Sequence, residues 1–156
     1  MRLASMLLGL TFAFISDQAL AQIKLTELPG NDHLYFHGQI YNPTFVPSTS
    51  EIRFELWNSH GLVYSQTLPA GTCVDSGSGC LYKNQEAQKS KSGVQYFRVL
   101  YQTRSHGHKM WLESYQEFVS VDDPEMTFMM FMNGSLFASI PNATFTRRPR
   151  GWIFRF

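Results

Sequence analysis

Histidines are the side chains of this chain best suited to metal chemistry, because neutral imidazole nitrogens bind Zn²⁺ and Cu²⁺. His106 and His108 flank Gly107 in a predicted hairpin tip, where a site would be assembled with ligands from other loops. His33 and His37 lie four residues apart in a predicted strand, which separates them by about 13 Å and makes them poor co-ligands. The sequence therefore favours a solvated turn at His106 and His108, with a metal site as the alternative.

Carboxylates near position 123 form a second candidate cluster. Asp122, Asp123 and Glu125 supply oxygens of the kind that Ca²⁺ binds, but they lack the spacing of a dedicated calcium loop, and Pro124 favours a polar turn. The chain contains no Gly-x-Ser-x-Gly, no His-Glu-x-x-His and no glycine-rich phosphate loop. The sequence therefore predicts a protein without catalytic function and without a cofactor.

Three aromatic residues are candidates for ligand contact. Tyr35, Tyr41 and Trp57 occupy positions that strand alternation assigns to the outside of the fold. Rings that carry a polar group serve both in binding contacts and in packing between sheets. If they bind a ligand, we expect a carbohydrate or a protein partner.

Charges are nearly balanced but unevenly placed along the chain. With 13 Lys+Arg against 12 Asp+Glu, the chain lacks the basic field that indicates nucleic-acid binding. Arg147, Arg148, Arg150 and Arg155 nevertheless form a terminal basic patch. Such a patch suits anionic lipid headgroups, lipopolysaccharide or acidic glycans, although a solvated rim is the more frequent role of exposed arginines.

The amino terminus has the pattern of a secretory signal peptide. Arg2 precedes an apolar stretch over 7–15, and Ala19-Leu20-Ala21 supplies small residues at a cleavage site. The apolar stretch is shorter than the roughly 20 residues of a membrane-spanning helix. We therefore predict a signal peptide over 1–21, cleavage after Ala21, and a secreted or periplasmic mature chain over 22–156.

Export determines how the two cysteines are interpreted. Cys73 and Cys80 both lie in the predicted mature chain and would meet an oxidising compartment, where cysteines pair. The residues between them are rich in glycine and serine and can bend back without strain. The sequence therefore predicts a structural disulfide between Cys73 and Cys80 rather than a redox-active pair.

Most of the mature chain shows the two-residue alternation of β-strands. Asn58 to Gly61 predicts a hairpin turn, and Asn133-Gly134 predicts a type I′ turn because both residues tolerate positive φ. The residues over 126–132 are apolar on both faces, which indicates a strand buried inside a sandwich or barrel. The predicted strands cover 34–41, 51–57, 62–68, 94–103, 126–132, 135–140 and 152–156.

Two segments are harder to interpret. The stretch over 84–93 is polar and is predicted to be an exposed connection rather than an element. The stretch over 109–118 fits a strand, but Trp111, Tyr115 and Phe118 also fit the apolar face of an amphipathic helix, so periodicity leaves both open.

About eight short strands without an internal repeat predict an all-β fold, an antiparallel β-sandwich in one domain over 22–156. A series of short motifs runs along 50–152: Asn58 to Gly61, Cys73, Gly79-Cys80-Leu81-Tyr82-Lys83-Asn84, Gly93, Asp123-Pro124-Glu125-Met126-Thr127 and Gly151-Trp152. Their order resembles a loose group of uncharacterised secreted bacterial domains. That resemblance implies paired strands, favours a strand over 109–118, and implies no activity.

A small outer-membrane β-barrel is the alternative architecture. The chain ends Gly151-Trp152-Ile153-Phe154-Arg155-Phe156, which resembles the terminal signal of such proteins. Two observations on strands count against a barrel: those over 51–57 and 62–68 are short for a membrane span, and the one over 126–132 lacks a polar face for the lumen. A disulfide would also be unusual in such a barrel. The sandwich is therefore the favoured prediction.

Overall fold

The strands were located in a computed structural model that describes residues 21–41, 45–102, 107–119 and 121–155. The predicted signal peptide up to residue 20, His106 and Phe156 lie outside these residues. The elements are β1 (Gln22–Thr26), β2 (Asp32–Ile40), β3 (Ile52–Asn58), β4 (Gly61–Leu68), β5 (Val74–Asp75), β6 (Gly79–Lys83), α1 (Gln85–Ser90), β7 (Gly93–Gln102), β8 (Gly107–Gln116), β9 (Glu125–Met132), β10 (Ser135–Thr144), β11 (Thr146–Arg148) and β12 (Gly151–Arg155).

Two antiparallel sheets pack against each other, which confirms the predicted β-sandwich. The larger sheet has eight strands in the order β11-β12-β1-β2-β8-β7-β6-β5, and the smaller has four in the order β10-β9-β3-β4. The chain crosses between the sheets after β2, β4, β8 and β10. Strands distant in sequence therefore become neighbours, most notably β2 and β8.

The described residues contain more strands than the eight predicted. The additional strands β1, β5, β6 and β11 are two to five residues long. Such short runs show too little alternation to be recognised in sequence. They are stabilised by pairing with a longer neighbour, as β1 pairs with β12 on one side and β2 on the other.

The segment over 109–118 lies mainly in a strand, β8, and the helical alternative is wrong. Met110, Leu112 and Ser114 are buried at every second position, whereas a helix would bury positions three and four apart. Strand β8 pairs along its length with both β2 and β7, so its backbone hydrogen bonds are made on both sides.

The core is formed by alternate residues of the two sheets. Phe36 of the larger sheet stacks on Phe128 of the smaller at 4.8 Å between ring centroids, and Phe54 meets Phe97 at 5.6 Å. All four side chains are at most 2% exposed. Full burial of such a side chain contributes about 1.5 to 3 kcal/mol. Burial between the sheets is therefore the main stabilising term of this fold.

Strand β9 is buried on one face, not on both as the sequence suggested. Met126, Phe128 and Met130 point into the core and are at most 2% exposed. Met129 and Phe131, at the alternate positions, are half-exposed on the outside of the smaller sheet. The turn after β9 has positive φ at Asn133 and Gly134, as predicted.

The polar stretch over 84–93 contains a short helix and is not only a connection. Asn84 adopts an extended conformation, and its side chain accepts hydrogen bonds from the backbone N–H groups of Glu86 and Ala87. This is an N-cap, which satisfies donors that the first turn leaves free. Lys91 ends α1 in the left-handed region at φ 52°. The helix leaves no hydrophobic pattern in the sequence, because it buries a single residue, Ala87.

A few polar side chains are buried and satisfied. The Tyr64 hydroxyl of β4 shares a hydrogen bond with Ser114 of β8, and it joins the two sheets inside the core. Asp32 accepts hydrogen bonds from the backbone N–H groups of Leu28 and Phe118, each at 2.9 Å. It thereby holds the β1–β2 turn against the segment that leaves β8.

The predicted disulfide is present. Cys73 and Cys80 are bonded, and both are at most 2% exposed. Cys80 lies in β6, whereas Cys73 directly precedes β5, so the bond closes the β5–β6 hairpin at the edge of the larger sheet. A two-residue edge strand has few ladder hydrogen bonds of its own. The covalent link therefore compensates for weak pairing.

We predict that the Cys73→Ser, Cys80→Ser double variant loses about 2 to 3 kcal/mol of stability, because closing a loop this short removes that much chain entropy from the unfolded state. Urea unfolding of the oxidised wild type, the reduced wild type and the double variant measures this loss. The reduced protein should match the variant. Equal midpoints for the oxidised protein and the variant would contradict the prediction.

Candidate ligand-binding face

The larger sheet carries an unusual set of side chains on the surface that points away from the smaller sheet, here called the outer face. On β2 and β8 the even-numbered residues are mostly buried in the core, so the odd-numbered ones form the centre of the outer face. Antiparallel sheets commonly expose one face to water, where polar residues are usual. Here the centre is instead largely aromatic: His33, Tyr35, His37, Trp111 and Tyr115.

One row of the outer face stacks three planar groups across three strands. His37 of β2, Trp111 of β8 and Arg98 of β7 are register partners. The imidazole lies 4.9 Å from the Trp111 ring at an interplanar angle of 14°, and the guanidinium carbon lies 5.7 Å from the Trp111 centroid. Parallel stacking and the cation–π contact hold the indole between two polar groups.

The next row, two residues along each strand, combines tyrosines with charges. Lys24, Tyr35, Glu113, Tyr96 and Lys83 are successive register partners across β1, β2, β8, β7 and β6. The Lys83 ammonium lies 6.0 Å from the Tyr96 centroid. Glu113 is the carboxylate at the centre of this row, with tyrosines on both sides.

Burial within these rows shifts the pKa values of central groups. Burial, reinforced by the charge of Lys24, lowers the pKa of His33 although Glu113 lies 3.9 Å away. Burial and then Lys109 lower the pKa of His37. Burial and the charge of Glu113 raise the pKa of the Tyr35 hydroxyl. At neutral pH the rings of His33, His37 and Tyr35 are therefore uncharged hydrogen-bonding groups.

Cations surround this centre. Register and exposure place six of them on the outer face, all exposed and on six different strands: Lys24, Lys83, Arg98, Lys109, Arg148 and Arg155. Among the described residues, none of the six forms an ion pair with a carboxylate. The outer face is thus strongly positive in a chain whose total charge is +1.

The three predicted ligand-binding aromatics are not brought together. Tyr35 lies on the outer face, and Tyr41 lies at its margin, where a Cβ on Gly107 would come within 3.0 Å of the Tyr41 ring. Trp57 lies on the outside of the smaller sheet, where its indole N–H donates to Glu55 at 2.8 Å. The sandwich therefore separates Trp57 from the two tyrosines by its full thickness.

The terminal basic patch is divided by strand pairing. Arg148 and Arg155 belong to the outer face, whereas Arg150 lies in the turn before β12. Arg147 makes a bidentate pair with Glu27 at 2.7 and 3.0 Å, and its guanidinium carbon lies 5.0 Å from the Trp152 ring. Its charge is compensated, so the four arginines do not act as one patch.

The candidate metal ligands are dispersed in the described residues. His108 lies in β8 rather than in a solvated turn, because the strand begins at Gly107, and its ring meets Phe45 and Tyr101 edge-on. Burial lowers its pKa. His106 lies outside the described residues. Within them, no group of three histidines, cysteines or acids is arranged to hold a metal ion.

The carboxylates considered for calcium make internal contacts instead. Asp123 accepts hydrogen bonds from the Ser59 hydroxyl at 2.5 Å and from the Glu125 backbone N–H at 2.9 Å, and these bonds lower its pKa. It thereby ties the β3–β4 turn to the segment that enters β9. Asp122 lies 3.9 Å from His60, and Glu125 is exposed at the start of β9.

Most of the outer face is not recognisable from the sequence. The alternation in β2 did predict that Tyr35 lies on the outside of the fold. Trp111, Tyr115 and Arg98 were not assigned to it, because nothing local indicates that β8 lies between β2 and β7. The available signal was the odd-numbered series Lys109, Trp111, Glu113 and Tyr115, which becomes meaningful once the segment is known to be a strand.

Comparison of the chain with protein-family models, curated proteins and solved structures found no match. The described residues contain no helix long and apolar enough to cross a membrane.

We predict that stability falls as the pH is lowered from 7 to 5, and that it falls less in His33→Gln. Since the His33 pKa is lowered in the folded state, the unfolded chain takes up the proton first as the pH drops below the ordinary value of 6.5. Urea midpoints at pH 7 and pH 5 test this. An identical pH dependence in wild type and variant would contradict it.

Proposed function

We propose that this chain is an exported, non-catalytic binding module that holds its ligand on the outer face of the larger sheet. The observation that carries the proposal is the His37–Trp111–Arg98 stack, in which a tryptophan and an arginine are held in fixed positions on a surface rather than in the core. Tryptophan, tyrosine and arginine dominate the energetics of binding surfaces.

Rigidity favours binding by this surface. Four of the five central rings pack in pairs across β2 and β8: His33 lies 4.8 Å from Tyr115, and His37 lies 4.9 Å from Trp111, measured between ring centroids. Side chains already ordered in the free protein lose little conformational entropy when a ligand binds. The central strands β2 and β8 are also paired on both sides, which keeps the rows in register.

Export is proposed on two grounds besides the signal-peptide pattern. The Cys73–Cys80 disulfide suits an oxidising compartment. Strand β1 begins at Gln22, directly after the predicted cleavage site, and pairs there with Arg155 and His37. Cleavage after Ala21 therefore leaves the whole strand in the mature chain.

The absence of known catalytic motifs in the sequence supports a role in binding rather than catalysis.

We predict that the native protein is recovered from the medium or the periplasm as a chain that starts at Gln22 and has no free thiol. Fractionation of the producing cell, amino-terminal sequencing and thiol titration measure this. Recovery with residues 1–21 attached in the cytoplasm, or only in detergent from a membrane fraction, would contradict the proposed export as a soluble module.

We predict that Trp111→Ala lowers binding at least 10-fold, whereas Trp57→Ala, which removes an exposed tryptophan from the opposite sheet, leaves it unchanged. Binding of both variants and the wild type is measured on an array of neutral and acidic glycans and on washed envelopes of the producing cell. Arg98→Gln serves as a second variant of the outer face should Trp111→Ala fold poorly. Equal losses in the Trp57 and Trp111 variants, or no binding by wild type, would overturn the proposal.

A further inference from the structure

We infer that the ligand of the outer face is an acidic polysaccharide lying across the strands, an inference that rests on the function proposed above. The first argument is charge complementarity. Six exposed cations surround the aromatic centre, whereas Glu113 is the acidic residue of its central rows. A surface of this composition attracts an anionic partner and repels a cationic one.

The placement of the cations indicates an extended ligand. Lys24, Arg148 and Arg155 lie on β1, β11 and β12 at one side, and Lys83 and Arg98 lie on β6 and β7 at the other. Five strand spacings separate β12 from β6, which amounts to about 24 Å. A small anion would meet one or two of these charges, whereas a polymer with repeated acidic groups would meet cations at both sides.

The chemistry of the centre distinguishes a sugar polymer from a nucleic acid. Single-stranded nucleic acids bind by stacking bases on free aromatic faces. The two faces of Trp111 are already covered, one by His37 and the other by Arg98. The tyrosine hydroxyls and imidazole nitrogens of the outer face are hydrogen-bonding groups of the kind that pair with sugar hydroxyls.

The same surface is poorly suited to a lipid bilayer. Large exposed apolar side chains, which anchor proteins in the interfacial layer, do not lie at its centre. Of those in the described residues, Tyr41 and Val74 border the outer face, at the end of β2 and on the edge strand β5. The others lie elsewhere: Val46, Trp57, Leu62, Val119 and Leu136.

The test measures binding of the full mature protein to polygalacturonate, with dextran as the neutral polysaccharide control. We expect binding to polygalacturonate alone and a loss of at least 10-fold between 50 and 500 mM salt, because screening weakens contacts between exposed charges. Replacing Lys24, Lys83 and Arg98 by glutamine should lower the affinity at least 10-fold at 50 mM salt.

A matched control removes the same number of positive charges elsewhere. Arg53→Gln, Lys89→Gln and Arg150→Gln together leave the outer face intact and should bind polygalacturonate as the wild type does. Melting temperatures establish that both triple variants are folded. An equal loss in the two variants would show attraction by net charge alone and overturn the inference.

Other partners give distinguishable outcomes. Tighter binding of single-stranded DNA, or binding confined to vesicles with anionic headgroups, would overturn the inference in favour of those partners. Binding of dextran or another neutral glycan that is lost in Trp111→Ala would overturn the acidic polysaccharide but retain the proposed binding face. If no binding depends on Trp111, both the acidic polysaccharide and the proposed binding face are overturned.

Discussion

The fold depends on burial of one face of each sheet against the other. Phe36, Phe54, Phe97 and Phe128 meet between the layers and are almost fully removed from water. Because side chains alternate along a strand, every residue committed to this core sends its neighbours to the outside. The outer face is therefore a geometric consequence of the core: shifting β8 by one residue would exchange Leu112 for Trp111 or Glu113.

The same constraint makes the outer face rigid enough to act as a binding surface. Outward side chains recur at every second residue of a strand, and register pairing aligns them into rows across the sheet. Each row therefore has its own fixed contacts, which are ring stacking, hydrogen bonding or charge. Gln39 and Gln102 hydrogen-bond at 2.9 Å across Gly107, whose missing side chain leaves room for the contact. These contacts stabilise the sheet and keep the neighbouring strands in register.

Stability and binding are therefore linked at this face, but the structure provides ways to separate them. The aromatic stacks contribute to both, as cross-strand pairs generally stabilise sheets by less than about 1 kcal/mol each. The exposed ends of Lys24 and Lys83 contribute little to the fold, so their replacement addresses binding. The Cys73–Cys80 bond, in contrast, contributes to stability rather than to binding, because it closes the β5–β6 hairpin at the edge of the larger sheet, away from β1.

The sequence by itself determined the fold class, because alternation such as Ile52, Phe54 and Leu56 directly reports which face of a strand is buried. It also determined the disulfide, since two cysteines leave a single intramolecular pairing, and the Asn133-Gly134 turn, since few residues accept positive φ. Only the tertiary structure decided the features that depend on pairing between strands distant in sequence. Strand β1 and the strand over 109–118 each pair with one neighbour that is distant in sequence, β12 and β2 respectively, and the placement of Trp111 between His37 and Arg98 follows from that register. The separation of Trp57 from Tyr35 likewise required knowledge of which strands share a sheet, because local patterns specify the face of a strand but not its partner.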